Sequence, residues 1–506
     1  MYLVFLRVFA CLCCFIVSLP AYAASIDEAG AARLKAVFET VIADQMQYVP
    51  KVGPRPEFEG GVVVEPAATY YAVTLPYYRV HLEDGMRMDV GMVSINATPD
   101  GDREGRWKMA LAAPTPIVIV DSDEKPLFRV DIGAQRAAGI WDEAIGNFVK
   151  LDALYSDITA QSTTNEDFRV MIPQALVRYD FAEGADQTLS GDGFLLIKNM
   201  AGDFVDAGVK GSIESVRMDF KLDRYDAQAL LKHQKRLQAL AASADTEGLD
   251  VAAHGKALSE TLLKMYTSFG EQFKATYSVK GVDFRSTKET KKGNLGVDDL
   301  TVGFDVGGFV SDEVYLGLVF GFLGLDGEAD QLDTALAPTD MNFDLKVKNI
   351  PVKQVSGIAQ NAVQASAHNP KGGAMAMMSL AMKLPVVLSQ AGTVLEMKDT
   401  YIGNDSYRFE LGGVVKADME AVNSATADLR GRFKGLDGVL RQVRAQAVND
   451  PSSGARYDEL IQKLQMLQAV GAKQGEQDLY LYDFQMNPQG QMLLNGQDAK
   501  AVLGGR

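Results

Sequence analysis

Met341-Asn342-Phe343-Asp344-Leu345 is the stretch that decides the fold, and it has two relatives, Met218-Asp219-Phe220-Lys221-Leu222 and Tyr407-Arg408-Phe409-Glu410-Leu411. In each, apolar side chains alternate with polar ones. Successive side chains on a strand point to opposite faces, so each segment reads as antiparallel strand with one greasy and one wet face. The same period runs outward from about Val62 to Leu222. Met86, Met88, Val90 and Met92 alternate with Arg87, Asp89 and Gly91, and Val93, Ile95 and Ala97 then take the other parity, as a β-bulge would produce. Phe128, Val130 and Ile132 alternate with Arg129 and Asp131, and turn clusters such as Pro99-Asp100-Gly101-Asp102 separate the runs. The three related strands are unequally spaced and each is followed by a helical pattern. This excludes a solenoid of fixed period and points to one long sheet carrying helical excursions.

Those excursions have the three-to-four spacing of amphipathic helices. Leu34, Val37, Phe38, Val41 and Ile42 form a first stripe, opened by the capping box Ser25-Ile26-Asp27-Glu28 and closed before Pro50. Ala227 to Leu240 and Leu258 to Phe273 form a helical pair joined by the polar segment 245–250. Val352 to Gln390 is helix-like, with breaks expected at His368-Asn369-Pro370 and Pro385. A last pair, Phe433 to Ala447 and Tyr457 to Leu467, precedes a closing hairpin that turns at Asn487-Pro488-Gln489-Gly490. The expected fold is α+β: a long, twisted, mostly antiparallel sheet, curled into a groove, with helical hairpins packed on it. Its expected divisions are a signal peptide (1–23), an N-terminal helix (24–50), a β-rich region (51–225), a helical hairpin (226–274) and a second β-rich region (275–506) with helical insertions at about 352–390 and 416–472.

The first residues read as an export signal. A lone Arg7 precedes the apolar run Val8 to Leu19 and then Pro20-Ala21-Tyr22-Ala23, an A-x-A pattern with cleavage expected after Ala23. The run falls short of the ~20 residues a membrane span requires. All three cysteines (Cys11, Cys13, Cys14) lie within it, so the exported chain is held without disulfides. The net charge of −16 argues against a nucleic-acid partner, because phosphate binding needs a Lys/Arg-rich face.

Motifs with chemistry are weak throughout. Asp100, Asp102, Glu104 and Gly105 imitate half a calcium loop, but Leu111 stands where the bidentate acid belongs, and Asp326, Glu328, Asp330 and Asp333 lack the turn glycine. Ser122 and Lys125 have serine–lysine spacing in a turn, without the partner motifs of that chemistry. His81, His233, His254 and His368 are scattered. No cofactor or metal is expected and no catalytic residue is assigned. Two apolar segments remain, Val314 to Leu325 and Ala374 to Leu388. They read as core strand and core helix, or as an adaptable wall of an apolar groove lined by Leu316, Leu318, Phe320, Phe322, Met375, Met378 and Met382.

Tyr407 to Leu411 with Gly412-Gly413, then Gly435-Leu436-Asp437, then Leu493-Leu494-Asn495-Gly496, resemble the AsmA-like and YdgA-like envelope proteins of Gram-negative bacteria, mainly over the second half of the chain. The resemblance implies a curled β-groove that holds or conducts lipid; loss of an N-terminal anchor departs from that pattern. The resulting expectation is a non-enzymatic periplasmic envelope protein binding lipid or acyl chains. A scaffold for another envelope protein and a hydrolase with carboxylates gathered across the fold are its alternatives. An outer-membrane barrel is disfavoured by the helices and by the Gly505-Arg506 ending. N-terminal sequencing of the exported chain is expected to begin Ala24-Ser25-Ile26; an intact Met1 in the soluble periplasmic fraction would contradict the export reading.

Overall fold

A computed structural model describes residues 26–46, 54–82, 85–101, 103, 105–164, 167–243, 251–288, 293–311, 313–327, 336–358, 373–449 and 454–502. The expected export signal, Ser25, Asp102, Glu104, His368 and the acids Glu328, Asp330 and Asp333 lie outside them. The α+β class holds: the chain is mostly antiparallel strand with helices packed on it. It divides into two compact units, one comprising residues 1–221, 226–228 and 281–292, the other 222–225, 229–280 and 293–506.

The first unit is a meander whose early strands are broken at a common level. Strands β1 (Arg55–Glu59) and β2 (Val63–Pro66) face β4 (Tyr77–His81) and β3 (Tyr71–Thr74). These in turn face β5 (Arg87–Gly91) and β6 (Ser94–Pro99). Next come β8 (Ile117–Val120) and β7 (Arg106–Ala112), both paired to the long β9 (Pro126–Asp142). Strands β10 (Asn147–Ser162), β11 (Phe168–Glu183) and β12 (Leu189–Phe204) continue without a break. The parity change between Val90 and Val93 has two parts: a register shift against β4, where Tyr78 faces Gly91 but Arg79 faces Asp89 and Val90 is the extra residue, and then a break in the strand. The break is the gap between β5 and β6, level with Gly60-Gly61, Leu75-Pro76 and Ala113 to Pro116. Where β7 gives way to β8, the Gln135 side chain replaces the missing ladder, donating to the Ala113 carbonyl (2.7 Å) and accepting from its N–H (2.9 Å).

Helix α1 (Glu28–Met46) lies on the apolar face of this sheet. Its cap is Asp27, whose Oδ1 accepts from the Gly30 N–H at 2.8 Å. Leu34, Val37 and Phe38 pack on Tyr71, Val73, Ile95, Trp107 and Trp141, with Phe38 stacked on Trp141 at 5.9 Å. Polar contacts fix the first turns. The Asp27 N–H donates to the Tyr71 hydroxyl (3.2 Å), and Arg33 donates to Glu143 Oε2 (2.9 Å). Glu143, in the turn between β9 and β10, is almost fully buried and also accepts from the Trp107 indole N–H at 2.6 Å. Burial pushes its pKa up against the pull of Trp107 and Arg33.

In the second unit, antiparallel pairings run β15 (Asn294–Gly307), β16 (Tyr315–Leu323), β18 (Asp340–Lys348), β19 (Val394–Asn404), β20 (Tyr407–Ala417), β21 (Ala425–Lys434), β23 (Leu479–Met486) and β24 (Met492–Leu494). This sheet is open and uncurled, so the expected groove is replaced by a plain face. β15 and β16 match over nine unbroken pairs and β16 and β18 over seven, and the register shifts only on the next ladders, between Asn342 and Asp344 and between Met397 and Thr400.

Five helices of more than ten residues accompany it among the described residues: α2 (Ala227–Ser243), α3 (Val251–Thr267), α4 (Gly373–Gln390), and the pair α5 (Leu436–Asn449) and α6 (Gly454–Val470). Three expectations are corrected. Phe269 and Phe273 lie past the end of α3, the second in strand β14 (Gln272–Ser286). β21 occupies part of the expected 416–472 helical insertion, because Ala425 to Lys434 alternates as a strand. Helix α4 runs through Pro385 instead of stopping there, accommodating the lost hydrogen bond inside an otherwise apolar helix.

Replacing Glu143 with Ala removes the acceptor shared by Arg33 and Trp107, and should destabilise the first unit by about 3 kcal/mol. Both tryptophans of the chain, Trp107 and Trp141, lie in this core, so their fluorescence during urea unfolding reads that unit. A loss below about 1 kcal/mol would contradict the assignment.

Candidate functional site

The apolar face of the second unit is written strand by strand in cross-strand rows. Val302, Phe320 and Phe343 form one row across β15, β16 and β18; Phe304, Leu318 and Leu345 form the next. Leu300, Phe322 and Met341 flank the first row, and Val306, Leu316 and Val347 flank the second. A covered sheet face would hold such side chains at a few per cent exposure. Here Val302, Phe304, Leu318, Phe320 and Phe343 are 38% to 46% exposed. Towards the other end of the sheet the same face is closed. Phe433, Tyr480 and Tyr482 are buried under Leu436, Leu440 and Val443 of α5 and Leu464 of α6.

The opposite face of these strands is ionic. Gly317 lies between Asp305 and Lys346 in a cross-strand row, and its missing side chain lets Lys346 Nζ reach Asp305 Oδ2 at 3.5 Å, over the Tyr315 ring. The Tyr315 hydroxyl (3.2 Å) and the Gln272 amide (3.0 Å) both donate to Asp305 Oδ1. Burial, reinforced by Asp305, pushes the Tyr315 hydroxyl up to about 12, so it stays a donor. Lys348 and Lys398 flank Glu396 on the next strands, and hold its carboxyl below the usual range.

Of the predicted lining, Leu316, Leu318, Phe320 and Phe322 come together on one side of β16. The methionines do not join them. Met378 and Met382 lie one turn apart on α4, about two-thirds exposed, and α4 packs on β20, three strands along the sheet from β16. Met375 belongs to the same helix, and its side chain lies outside the described residues. Sequence reading missed the partners on β15 and β18, although Phe343 stood in the strand motif itself; which strands pair is a long-range fact.

At one end of the bare face a pocket of about 440 Å³ opens between the end of α3 and the segments before β16 and after β18. Leu263, Phe309, Val314 and Ile350 give it an apolar wall, while Glu313 and Lys353 bring one charge of each sign. A ladder of rings connects pocket and face: Phe309 on Tyr266 (6.5 Å), Tyr266 by Phe269 (6.4 Å), Phe269 by Phe273 (5.5 Å) and Phe273 by Phe304 (6.2 Å).

The first unit holds a smaller apolar cavity, of about 120 Å³, under the later turns of α1. Phe38, Val41 and Ile42 roof it, and Leu75, Val93 and Ala113, all at the level of the strand breaks, lie in its floor. An unfilled apolar void of this size costs on the order of 3 kcal/mol at ~24 cal/mol per Å³.

The remaining sequence motifs are structural. Asp437 accepts from Gln468 (2.6 Å), Lys473 (2.7 Å) and the Tyr480 hydroxyl (2.7 Å), and Asp478 caps α5 by accepting from the N–H groups of Asp437 (2.9 Å) and Gly438 (3.0 Å). Asn495-Gly496, both at positive φ, make the tight turn after β24, where the second residue must be free of a Cβ. Ser122 and Lys125 sit in a hairpin turn closed by Asp121, and His81 pairs with Glu57. Among the described residues no group of three or more His, Cys, Asp or Glu side chains is placed to hold a metal, and no helix is long and apolar enough to cross a membrane. Comparison with known protein families, curated proteins and solved structures finds nothing that matches this chain.

Lys473, followed by Tyr480, holds the Asp437 carboxyl down to about 2. A carboxyl depressed in the folded state stabilises above its unfolded value, and that contribution is lost as pH falls from about 4 to about 2. Asp437→Asn should therefore cost about 1–2 kcal/mol at pH 7, and progressively less below pH 4. Urea unfolding followed by circular dichroism at both pH values checks this; an equal loss at pH 7 and pH 2 would contradict it.

Proposed function

We propose that this chain is a non-enzymatic periplasmic envelope protein that binds acyl chains on the bare face of β15, β16 and β18. The single observation carrying the reading is the exposure of Val302, Phe304, Leu318, Phe320 and Phe343 in adjoining rows. Contiguous apolar surface of this kind marks an interaction site.

Three features favour a hydrocarbon over a protein occupant. β16 and β18 are paired on both edges, so their backbones offer no ladder to an added strand. The rows hold Val, Leu and Phe without a hydrogen-bonding side chain among them, whereas protein interfaces carry polar contacts every 100–200 Å² or so. From Leu316 to Phe322 the face extends about 20 Å at ~3.3 Å per residue, the reach of a long extended acyl chain. The pocket with Glu313 and Lys353, joined to Phe304 by the ring ladder, suits the polar end of the same ligand. Export follows from the reading of residues 1–23.

Native mass spectrometry and solvent extraction of the full chain purified from periplasm test this directly. Acyl lipid is expected in the extract, and Leu318→Asp/Phe320→Asp is expected to bind a fluorescent polyene fatty acid at least tenfold more weakly while keeping its fold by circular dichroism. A lipid-free wild type that also fails to bind the fatty acid would overturn the reading, as would a double variant that binds as well as wild type.

A further inference from the structure

The cavity of the first unit lies where its sheet is interrupted. Four successive strand levels break at one height, and Leu75, Val93 and Ala113, all at that level, line the cavity beneath α1. The first turns of the helix are tied to the sheet through Asp27 to Tyr71 and Arg33 to Glu143. The later turns, carrying Phe38, Val41 and Ile42, span the void. The helix is thus fastened near one end and roofs apolar space near the other.

The chemistry of the walls selects the occupant. Aliphatic, aromatic and thioether groups dominate the lining, and apolar cavities of comparable volume stay dry and admit hydrocarbon the size of benzene. Met88 and Met109 contribute flexible, polarizable side chains that adapt to an irregular guest. Trp141 lies in the same wall. We propose that this cavity is a second, independent hydrocarbon site, which takes the terminal segment of an unbranched acyl chain, about six carbons by comparison with benzene. The site does not rest on the bare face of the second unit, and either can fail without the other.

Trp141 supplies a local readout, since bromine quenches indole fluorescence on contact. The full chain is titrated with hexanoate brominated at its terminal carbon, then with a long fatty acid and a lysophospholipid brominated at the same end. Quenching of at least half the emission at saturation by any of the three is expected, and the most effective probe identifies whether the free acid or the lipid is the source of the chain. Val41→Phe fills the cavity from the roof and Ala113→Leu from the floor; each should weaken quenching at least tenfold. Leu318→Asp/Phe320→Asp should leave it unchanged. Absence of quenching by all three probes, or undiminished quenching in whichever cavity-filling variant retains the wild-type circular dichroism spectrum, would overturn the proposal. Quenching that is lost in Leu318→Asp/Phe320→Asp would assign it to the other site and overturn it equally.

Discussion

The structure rests on the two-sidedness of its strands. A residue period of two sends every second side chain to one face, and this chain assigns charge to one and hydrocarbon to the other over long runs. The ionic side is self-sufficient: Asp305 with Lys346 across the intervening β16, Glu396 with Lys348 on the next strand, and Glu410 with Arg408 of its own strand and Arg432 of the next pair with one another while open to water. The apolar side has no such internal solution. It needs a helix, a ligand or a partner over it, and the described helices reach only part of it.

Each unit meets that constraint in its own way. In the first, one helix is clamped to the sheet by a buried Arg33–Glu143–Trp107 arrangement and covers Tyr71, Val73 and Trp107 closely, but the strand breaks leave a void farther along. In the second, the α5–α6 pair seals Phe433, Tyr480 and Tyr482, while the rows through Phe320 and Leu318 are left open to solvent. The polar knot at Asp437, Asp478 and Asn495 fixes the sealed end. On the proposed reading, the sealed end anchors the sheet and the bare rows on β15, β16 and β18 take the ligand.

Much of this was legible in the residues, because alternation and helical stripes are local signals. The strands around Met341 to Leu345 and Tyr407 to Leu411, the first helix and both later helical pairs could be read directly. What escaped depends on contacts distant in sequence. The shift of parity at Val93 read as a bulge, and Val90 is one, but nothing local reveals that the strand also breaks there, at the same height as three neighbouring strand levels. The methionines of α4 looked like groove wall, because periodicity places side chains on a helix face but cannot say which strand that face meets. Asp437 gave no sign of its three donors, which arrive from Gln468, Lys473 and Tyr480. Half of the candidate site was visible as Leu316 to Phe322; its other half, on β15 and β18, became visible only with the register.

Hydroxyl-radical footprinting of the full chain, delipidated and then loaded with a saturated long-chain fatty acid, tests the central claim most directly. The account predicts that Phe320 and Phe343 are oxidised readily in the lipid-free protein and become protected on loading, while Phe433 and Tyr480 are protected throughout. Equal protection of all four before any lipid is added would show the face already covered and would contradict it.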